Sequence, residues 1–175
     1  MFIIGHIGVT LGILIILKKH PFFSKLYTGL PMVAFGAMLP DIIDKPIGEG
    51  IFADYFSNGR IYGHTLLFCL LVLMAAVYYY KRKDDNRILV IPAATFLHLV
   101  EDRMWTAPQT LFWPLMGWQF PQGYSSSGLL DYFLRILRNT YTLESSYSFL
   151  SEILGVLILA FIGMRYLQQR SKQKQ

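Results

Sequence analysis

The stretch FGAMLPDIIDKP, residues 35–46, runs from apolar residues into two aspartates that lie three positions apart. The chain around this stretch is strongly apolar, with 54% hydrophobic, 15% aromatic and 15% charged residues and a mean hydropathy of +0.40. The apolar content and the hydropathy are too high, and the charged fraction is too low, for an ordinary soluble domain of 175 residues. The sequence therefore indicates a membrane protein in which carboxylates stand where a hydrophobic helix ends.

Five apolar runs predict membrane-spanning helices, since a span needs roughly 17 to 25 such residues. The second and fourth runs are short, and a helix of about 14 residues covers only about 21 Å. Their ends must either extend into the polar flanks or lie below the lipid headgroups. The predicted fold is all-α: a polytopic membrane helix bundle of about five transmembrane helices, arranged as two hairpins plus a C-terminal span in one domain, residues 1–175. The runs are 2–17, 26–39, 61–80, 88–100 and 149–167.

The charges between these runs predict the orientation of the chain. Basic residues collect in cytoplasmic loops, and 11 of the 16 basic residues lie in segments 18–25, 81–87 and 165–175. The opposite face has the other five and nine of the eleven acidic residues. We therefore predict an integral membrane protein with its N-terminus outside and its C-terminus inside. The net charge of +5 then reflects topology and attraction to anionic lipid, and not nucleic-acid binding.

Ionisable side chains collect at the predicted outer ends of the first four spans, where such groups are costly and usually functional. Within this set, residues 41 and 44 and residues 98 and 102 each share one helical face. His6 and Asp44 are separated by the same 38 positions as His64 and Asp102, which indicates two similar hairpins related by a pseudo-two-fold axis along the membrane normal. The set consists of His6, Asp41, Asp44, His64, His98, Glu101 and Asp102.

Imidazole and carboxylate donors without thiolate suit Zn, Mn or Fe. Cys69, the only cysteine, lies inside the third run as an ordinary apolar residue. The expected cofactor is one or two divalent transition-metal ions, with Zn first and Mn or Fe as alternatives. A pair of ions about 3.5 to 4 Å apart would activate water and clamp both oxygens of a phosphoryl displacement. The alternative is a buried polar network that only ties the helices together.

Two further residues have predicted roles in catalysis. Arg60, four residues before His64, could hold a phosphate by a bidentate fork, or it could be an interfacial arginine that extends toward water. Glu101 could be a general base or a hydrogen-bond partner that orients a metal ligand, or it could point to the headgroups.

An ordered series of motifs points to a known family. The series is GH at residues 5–6, LPDIID at 39–44, RIYGHTLL at 60–67 and HLVEDRMWTAPQTLFWP at 98–114. It resembles the LexA-regulated YdjM-like family of inner-membrane, metal-dependent hydrolases, over residues 5 to 116. The resemblance implies a hydrolase whose metal ligands are His6, Asp41, Asp44, His64, His98 and Asp102.

Together these features predict a membrane-embedded metal-dependent hydrolase that cleaves phosphoesters of a lipid or lipid phosphate on the extracytoplasmic side. The membrane lipid is then both substrate and solvent, and the oligomeric state is left open. The alternative is a metal-ion or proton transporter, which should place a polar group near the bilayer midplane. The stretch SGLLDYFLRILRN, residues 127–139, also predicts an amphipathic helix on the outer surface.

Overall fold

The structure is a computed structural model that describes residues 3–25, 27–122, 134 and 146–172. Within these residues every regular element is a helix and none is a strand, which confirms the predicted all-α class. The α-helices with described bounds are α1 (Ile3–Leu17), α2 (Leu30–Lys45), α3 (Ala53–Phe56), α4 (Leu66–Lys83), α5 (Val90–Glu101), α6 (Pro108–Leu111) and α7 (Ser146–Lys172). A π-helical stretch, Pro46–Ile51, continues α2, and 3₁₀ turns lie at Pro21–Phe23, Asn86–Leu89 and Met104–Thr106.

The five longer helices coincide with the five apolar runs of the sequence. The second apolar run, 26–39, extends into its polar flank. In the structure α2 continues through Pro40 and ends at Lys45. Asp41 and Asp44 therefore lie inside the helix, on its inward face, and both are buried.

One helix in the described part of the chain is long and apolar enough to cross a membrane. It is the Phe149–Lys172 portion of α7, with a hydropathy of 1.8 and only 11% of its most apolar window buried in the protein. The 16 residues of α2 and the 12 of α5 reach only about 24 and 18 Å, less than the roughly 30 Å of hydrocarbon. The five-span arrangement is thus not confirmed. The predicted amphipathic helix at 127–139 lies outside the described residues, apart from residue 134.

The helices pack as two hairpins joined through their second members. α1 contacts α2 and α7, α2 contacts α5, and α5 contacts α4. Apolar side chains fill the interface between the two hairpins. The buried core there consists of Leu11, Leu14, Val33, Ala37, Val90 and Ala94.

Two glycines set the close approach of these helices. A Cβ on Gly36 of α2 would lie 2.7 Å from the carbonyl oxygen of Ile91 in α5, and a Cβ on Gly8 of α1 would overlap the backbone of Gly155 in α7. Helices in membranes use such small residues because close backbone packing replaces the hydrophobic driving force.

The outward surface of the bundle is apolar. On α4, Leu70 and Leu71 are each 50% exposed, and on α7 Leu154 and Leu157 are at least as exposed. Apolar surface of this extent indicates a lipid environment or a partner surface. A bilayer accounts for it around α7, since that helix also satisfies the length and hydropathy of a span.

Candidate metal centre

The structure brings all seven predicted polar residues together at one end of the bundle. They come from the first turn of α1, the ends of α2 and α5, and the turn that precedes α4. The three histidines are fully buried, and the carboxylate side chains are at most 7% exposed. The cluster consists of His6, Asp41, Asp44, His64, His98, Glu101 and Asp102.

His98 is held by the backbone of α2. Its Nδ1 lies 2.6 Å from the carbonyl oxygen of Ala37 and donates to it, because a carbonyl can only accept. Pro40 makes this part of α2 available to α5, since proline lacks the N–H that would bond the carbonyl of Gly36. The Thr95 hydroxyl of α5 lies 3.0 Å from that Gly36 oxygen and equally close to the carbonyl oxygen of Ile91 in its own helix. A neutral His98 ring therefore presents Nε2 as an acceptor.

His64 is held by Asp44. Its Nδ1 lies 2.7 Å from Oδ2 of Asp44, and the same carboxylate accepts the backbone N–H groups of Ile61, Gly63 and His64. A Cβ on Gly63 would lie 2.8 Å from the carbonyl oxygen of Pro40, so the turn needs glycine to pack this closely on α2. Asp44 thus organises the turn before α4 and orients the His64 ring.

His6 is held by Glu101. Its Nδ1 lies 2.8 Å from Oε2 of Glu101, while the hydroxyl of Thr10 donates to Oε1 of the same carboxylate at 2.7 Å. Thr10 and His6 are four residues apart on one face of α1. Both oxygens of Glu101 are therefore engaged in positioning the first histidine.

The three remaining imidazole nitrogens face one another and two further carboxylates. Nε2 of His98 lies 3.2 Å from Nε2 of His64. Nε2 of His6 is buried, makes no hydrogen bond, and lies 3.2 Å from Oδ1 of Asp102. Oδ1 of Asp41 lies 3.6 Å from Nε2 of His64 and 3.8 Å from Nε2 of His98. Three nitrogens and two carboxylates therefore enclose one small volume.

Two sets of these donors are close enough to hold an ion, and both include His98. Within each set the donor atoms lie within 4.8 Å of one another. One imidazole nitrogen binds one ion, so the donors fit a single ion, or two ions with unequal ligands. Asp102 suits the second arrangement, because its Oδ1 faces His6 and its Oδ2 lies 3.6 Å from Nε2 of His64. The sets are His6, His98 and Asp102, and Asp41, His64 and His98.

Two cations contact the cluster from its edge. Lys45 Nζ lies 2.7 Å from Oδ2 of Asp41, and Nη2 of Arg60 lies 2.8 Å from Oδ2 of Asp102. The Arg60 side chain is 47% exposed, so it connects the buried cluster to the surface. With all four carboxylates ionised and the three histidines neutral, these two cations would leave two negative charges, the charge of one divalent cation.

The equal spacing of the two hairpins is reflected in the contacts, which cross from one hairpin to the other. His64 of the second hairpin contacts Asp44 of the first, and His6 of the first contacts Asp102 of the second. The two contacts use different ring nitrogens, so the histidines are related in position without being equivalent in role.

Sequence reasoning missed two groups that shape the centre. Thr10 is a polar residue inside an apolar run, and its spacing from His6 was the available signal. The Ala37 carbonyl had no signal in side-chain types, since it depends on the path of α2 around Pro40. The fourth histidine, His20, is exposed, as expected of a loop residue.

The fold and the cluster define a helical membrane protein with a buried centre of histidines and carboxylates. The chain belongs to the YdjM inner membrane protein family, whose model matches residues 1–171. No curated protein and no solved structure matches the chain. The family supports the predicted location in the inner membrane, while the orientation of the chain stays a prediction.

Proposed function

We propose that this protein is a metal-dependent hydrolase that cleaves phosphoesters of a membrane lipid. The observation that carries the proposal is that three imidazole rings face outer acceptors through Nδ1 and the interior of the cluster through Nε2. In the neutral rings Nδ1 donates to its acceptor, and each Nε2 is then a lone pair available to an ion. Histidine ligands of metals have this arrangement, in which an outer group fixes the tautomer of the ring.

The contact between His64 and His98 argues for a cation at this point. Their Nε2 atoms are 3.2 Å apart, and both are acceptors when the rings are neutral. Two acceptors at this distance repel each other unless a proton or a metal ion lies between them. If the histidines are neutral and the carboxylates ionised, a divalent ion would also balance the charge that Lys45 and Arg60 leave uncompensated.

In this proposal the ligands are the Nε2 atoms of the three histidines together with Asp41 and Asp102. Asp44 and Glu101, whose oxygens are engaged elsewhere, orient His64 and His6. Of the roles predicted for Glu101, we therefore propose that it orients a metal ligand and does not act as the general base. When bound, a Zn, Mn or Fe ion supplies Lewis acidity toward a phosphoryl oxygen and activates water.

Arg60 is the proposed phosphate-binding residue. One of its nitrogens contacts the ligand carboxylate of Asp102, which places the guanidinium beside the centre. The other N–H groups of the fork can meet two oxygens of a phosphate. A phosphoester held there lies next to the proposed metal ligands and toward the surface, where lipid headgroups are concentrated.

The position of the donors favours hydrolysis over the transport alternative. They lie in the first turn of α1 and at the ends of α2 and α5. A transporter would need ionisable groups deeper in the helices to pass an ion through the bundle.

The test is metal content together with lipid hydrolysis, on protein purified in detergent. We expect one or two equivalents of a divalent transition metal in the wild type and in His20→Ala, which removes an exposed histidine, and almost none in His98→Ala. Phosphate or headgroup release from mixed micelles should follow the metal. Full activity in metal-free protein, or full metal occupancy in His98→Ala, would refute the proposal.

A further inference from the structure

Large apolar side chains are exposed at the same end of the bundle as the metal centre. Residues 51–56 follow the end of α2, and residues 105–118 follow the end of α5, so both segments begin where the centre lies. We call these two segments the rim. Its most exposed side chains are Ile51 (75%), Tyr55 (71%), Leu115 (88%) and Trp118 (78%).

The rim is built on a packed aromatic base. Tyr62 lies in the turn between Arg60 and His64, and its ring contacts those of Phe56, Trp113 and Phe120 at centroid distances of 6.1, 5.3 and 4.9 Å. A hydrogen bond of 2.7 Å from the Asn58 side chain to the carbonyl of Pro121 joins the residues that follow the two segments. The exposed residues are therefore presented by a fixed scaffold that also holds Arg60 and His64.

The rim continues the outward apolar faces of two helices. On α5, Phe96 and Val100 are 50% and 40% exposed, and Trp105 follows them at 57%. On α2, Phe35 and Ile42 lie on one face, seven residues apart, and are about half exposed before the chain reaches Ile51. The exposed apolar surface of these two helices thus extends around the end of the bundle that holds the centre.

We propose that the rim inserts into the interfacial region of the bilayer and binds the upper acyl chains of a phospholipid whose phosphate reaches Arg60. Tryptophan and tyrosine prefer this depth, because an apolar ring and a polar edge are both satisfied there. Lys45 and Arg60 lie beside the rim with the charge that a phosphate requires. The role in substrate binding rests on the proposed function, whereas insertion can be measured without turnover.

The chain supplies its own probe of insertion, since all three tryptophans, Trp105, Trp113 and Trp118, belong to the rim. The full chain is reconstituted in phosphatidylcholine–phosphatidylglycerol vesicles in which part of the lipid is brominated, either high or low on the acyl chain. We expect lipid brominated near the headgroup to reduce tryptophan emission about twofold or more, with less quenching by deep bromines and by aqueous iodide. Trp118→Phe should lower the emission and the share that lipid quenches.

Two results would overturn insertion. Strong quenching by iodide without quenching by brominated lipid would place the rim in water. Weak quenching by both would mean that protein covers the rim, either a second copy, if dilution in lipid restores quenching, or the segment 123–145, if it does not.

The substrate role is tested with Leu115→Ser and, as a matched control at the other end of the bundle, Ile16→Ser, which changes a side chain that is 66% exposed. Leu115→Ser should keep its metal and its activity on a soluble aryl phosphate, but lose about tenfold in hydrolysis of vesicle lipid, while Ile16→Ser should match the wild type. Equal loss in both variants, or no loss in Leu115→Ser, would contradict the role. If neither the wild type nor the two variants hydrolyse the aryl phosphate or the lipid, the proposed function fails. The quenching result still decides whether the rim inserts into the bilayer.

Discussion

Thr10→Val offers the sharpest test of how the centre is built, because it removes one hydroxyl and keeps the volume of the side chain. Thr10 is fully buried and its hydroxyl lies 2.7 Å from Oε1 of Glu101, whose Oε2 holds Nδ1 of His6. Without the hydroxyl, a buried carboxylate oxygen loses one hydrogen-bond donor. The effect on metal affinity must then pass from Thr10 through Glu101 to the ring.

The expected size follows from two independent magnitudes. A hydrogen bond to a charged group contributes about 1.5 to 3 kcal/mol. Outer groups that hold a metal-binding histidine contribute about 10- to 100-fold in affinity, or about 1.4 to 2.7 kcal/mol. Part of the lost hydrogen-bond energy also destabilises the metal-free protein and so does not change the metal affinity. We therefore expect Thr10→Val to weaken metal binding about tenfold, the lower end of this range.

The assay is competition with a chelator of known affinity, followed by elemental analysis, together with thermal unfolding with and without metal. Thr110→Val is the matched control, since Thr110 is equally buried, at 2% exposure, but lies on α6 outside the cluster. Glu101→Gln should weaken binding further, because a neutral amide supports the imidazole less well than a carboxylate. Wild-type affinity in Thr10→Val, or the same loss in Thr110→Val, would show that this chain of contacts does not hold the ligand.

Three further outcomes follow from named contacts. Asp44→Asn should lower the thermal stability more than Asp41→Asn does, because an amide cannot accept all of the N–H groups that converge on Asp44; equal shifts in unfolding temperature would contradict this. Arg60→Ala should reduce lipid hydrolysis while leaving metal content near the wild-type value, and Arg60→Lys should restore only part of it; loss of metal in parallel would place Arg60 in the ligand network. For the orientation, a cysteine at Asn58 should react with an impermeant maleimide from outside, and one at Asn86 only after the inner face is opened; the reverse pattern would place the centre in the cytoplasm.

The gathering of the seven polar residues could be predicted because it depends only on chain direction. Helices that alternate in direction bring the start of the first and the end of the second to one face, whatever their exact lengths. His6 and Asp102 are 96 positions apart in sequence and 3.2 Å apart in space for that reason.

The different roles of Asp41 and Asp44 within the cluster could not be predicted in the same way. Spacing puts Asp41 and Asp44 on one face of α2, yet Asp44 is surrounded by N–H groups while Oδ1 of Asp41 faces imidazole nitrogens. That difference depends on the turn at residues 61–64, whose backbone N–H groups donate to Asp44. Side-chain type identifies the candidates, and only the local backbone separates a proposed metal ligand from a residue that orients one.

The course of α2 at Pro40 could not be predicted from the sequence either. A proline after an apolar run usually signals the end of a helix, but α2 continues through it to Lys45. The Thr95 hydroxyl of α5 lies 3.0 Å from the carbonyl of Gly36, which Pro40 cannot bond, and the next carbonyl, of Ala37, accepts from His98. The turn of α2 that precedes the proline is thus also the turn that contacts polar groups of α5. The imidazoles are therefore oriented by groups of two kinds: the backbone carbonyl of Ala37 holds His98, and the carboxylates of Asp44 and Glu101 hold His64 and His6. Asp41 and Asp102 then face the volume that a divalent ion would occupy in the proposed centre.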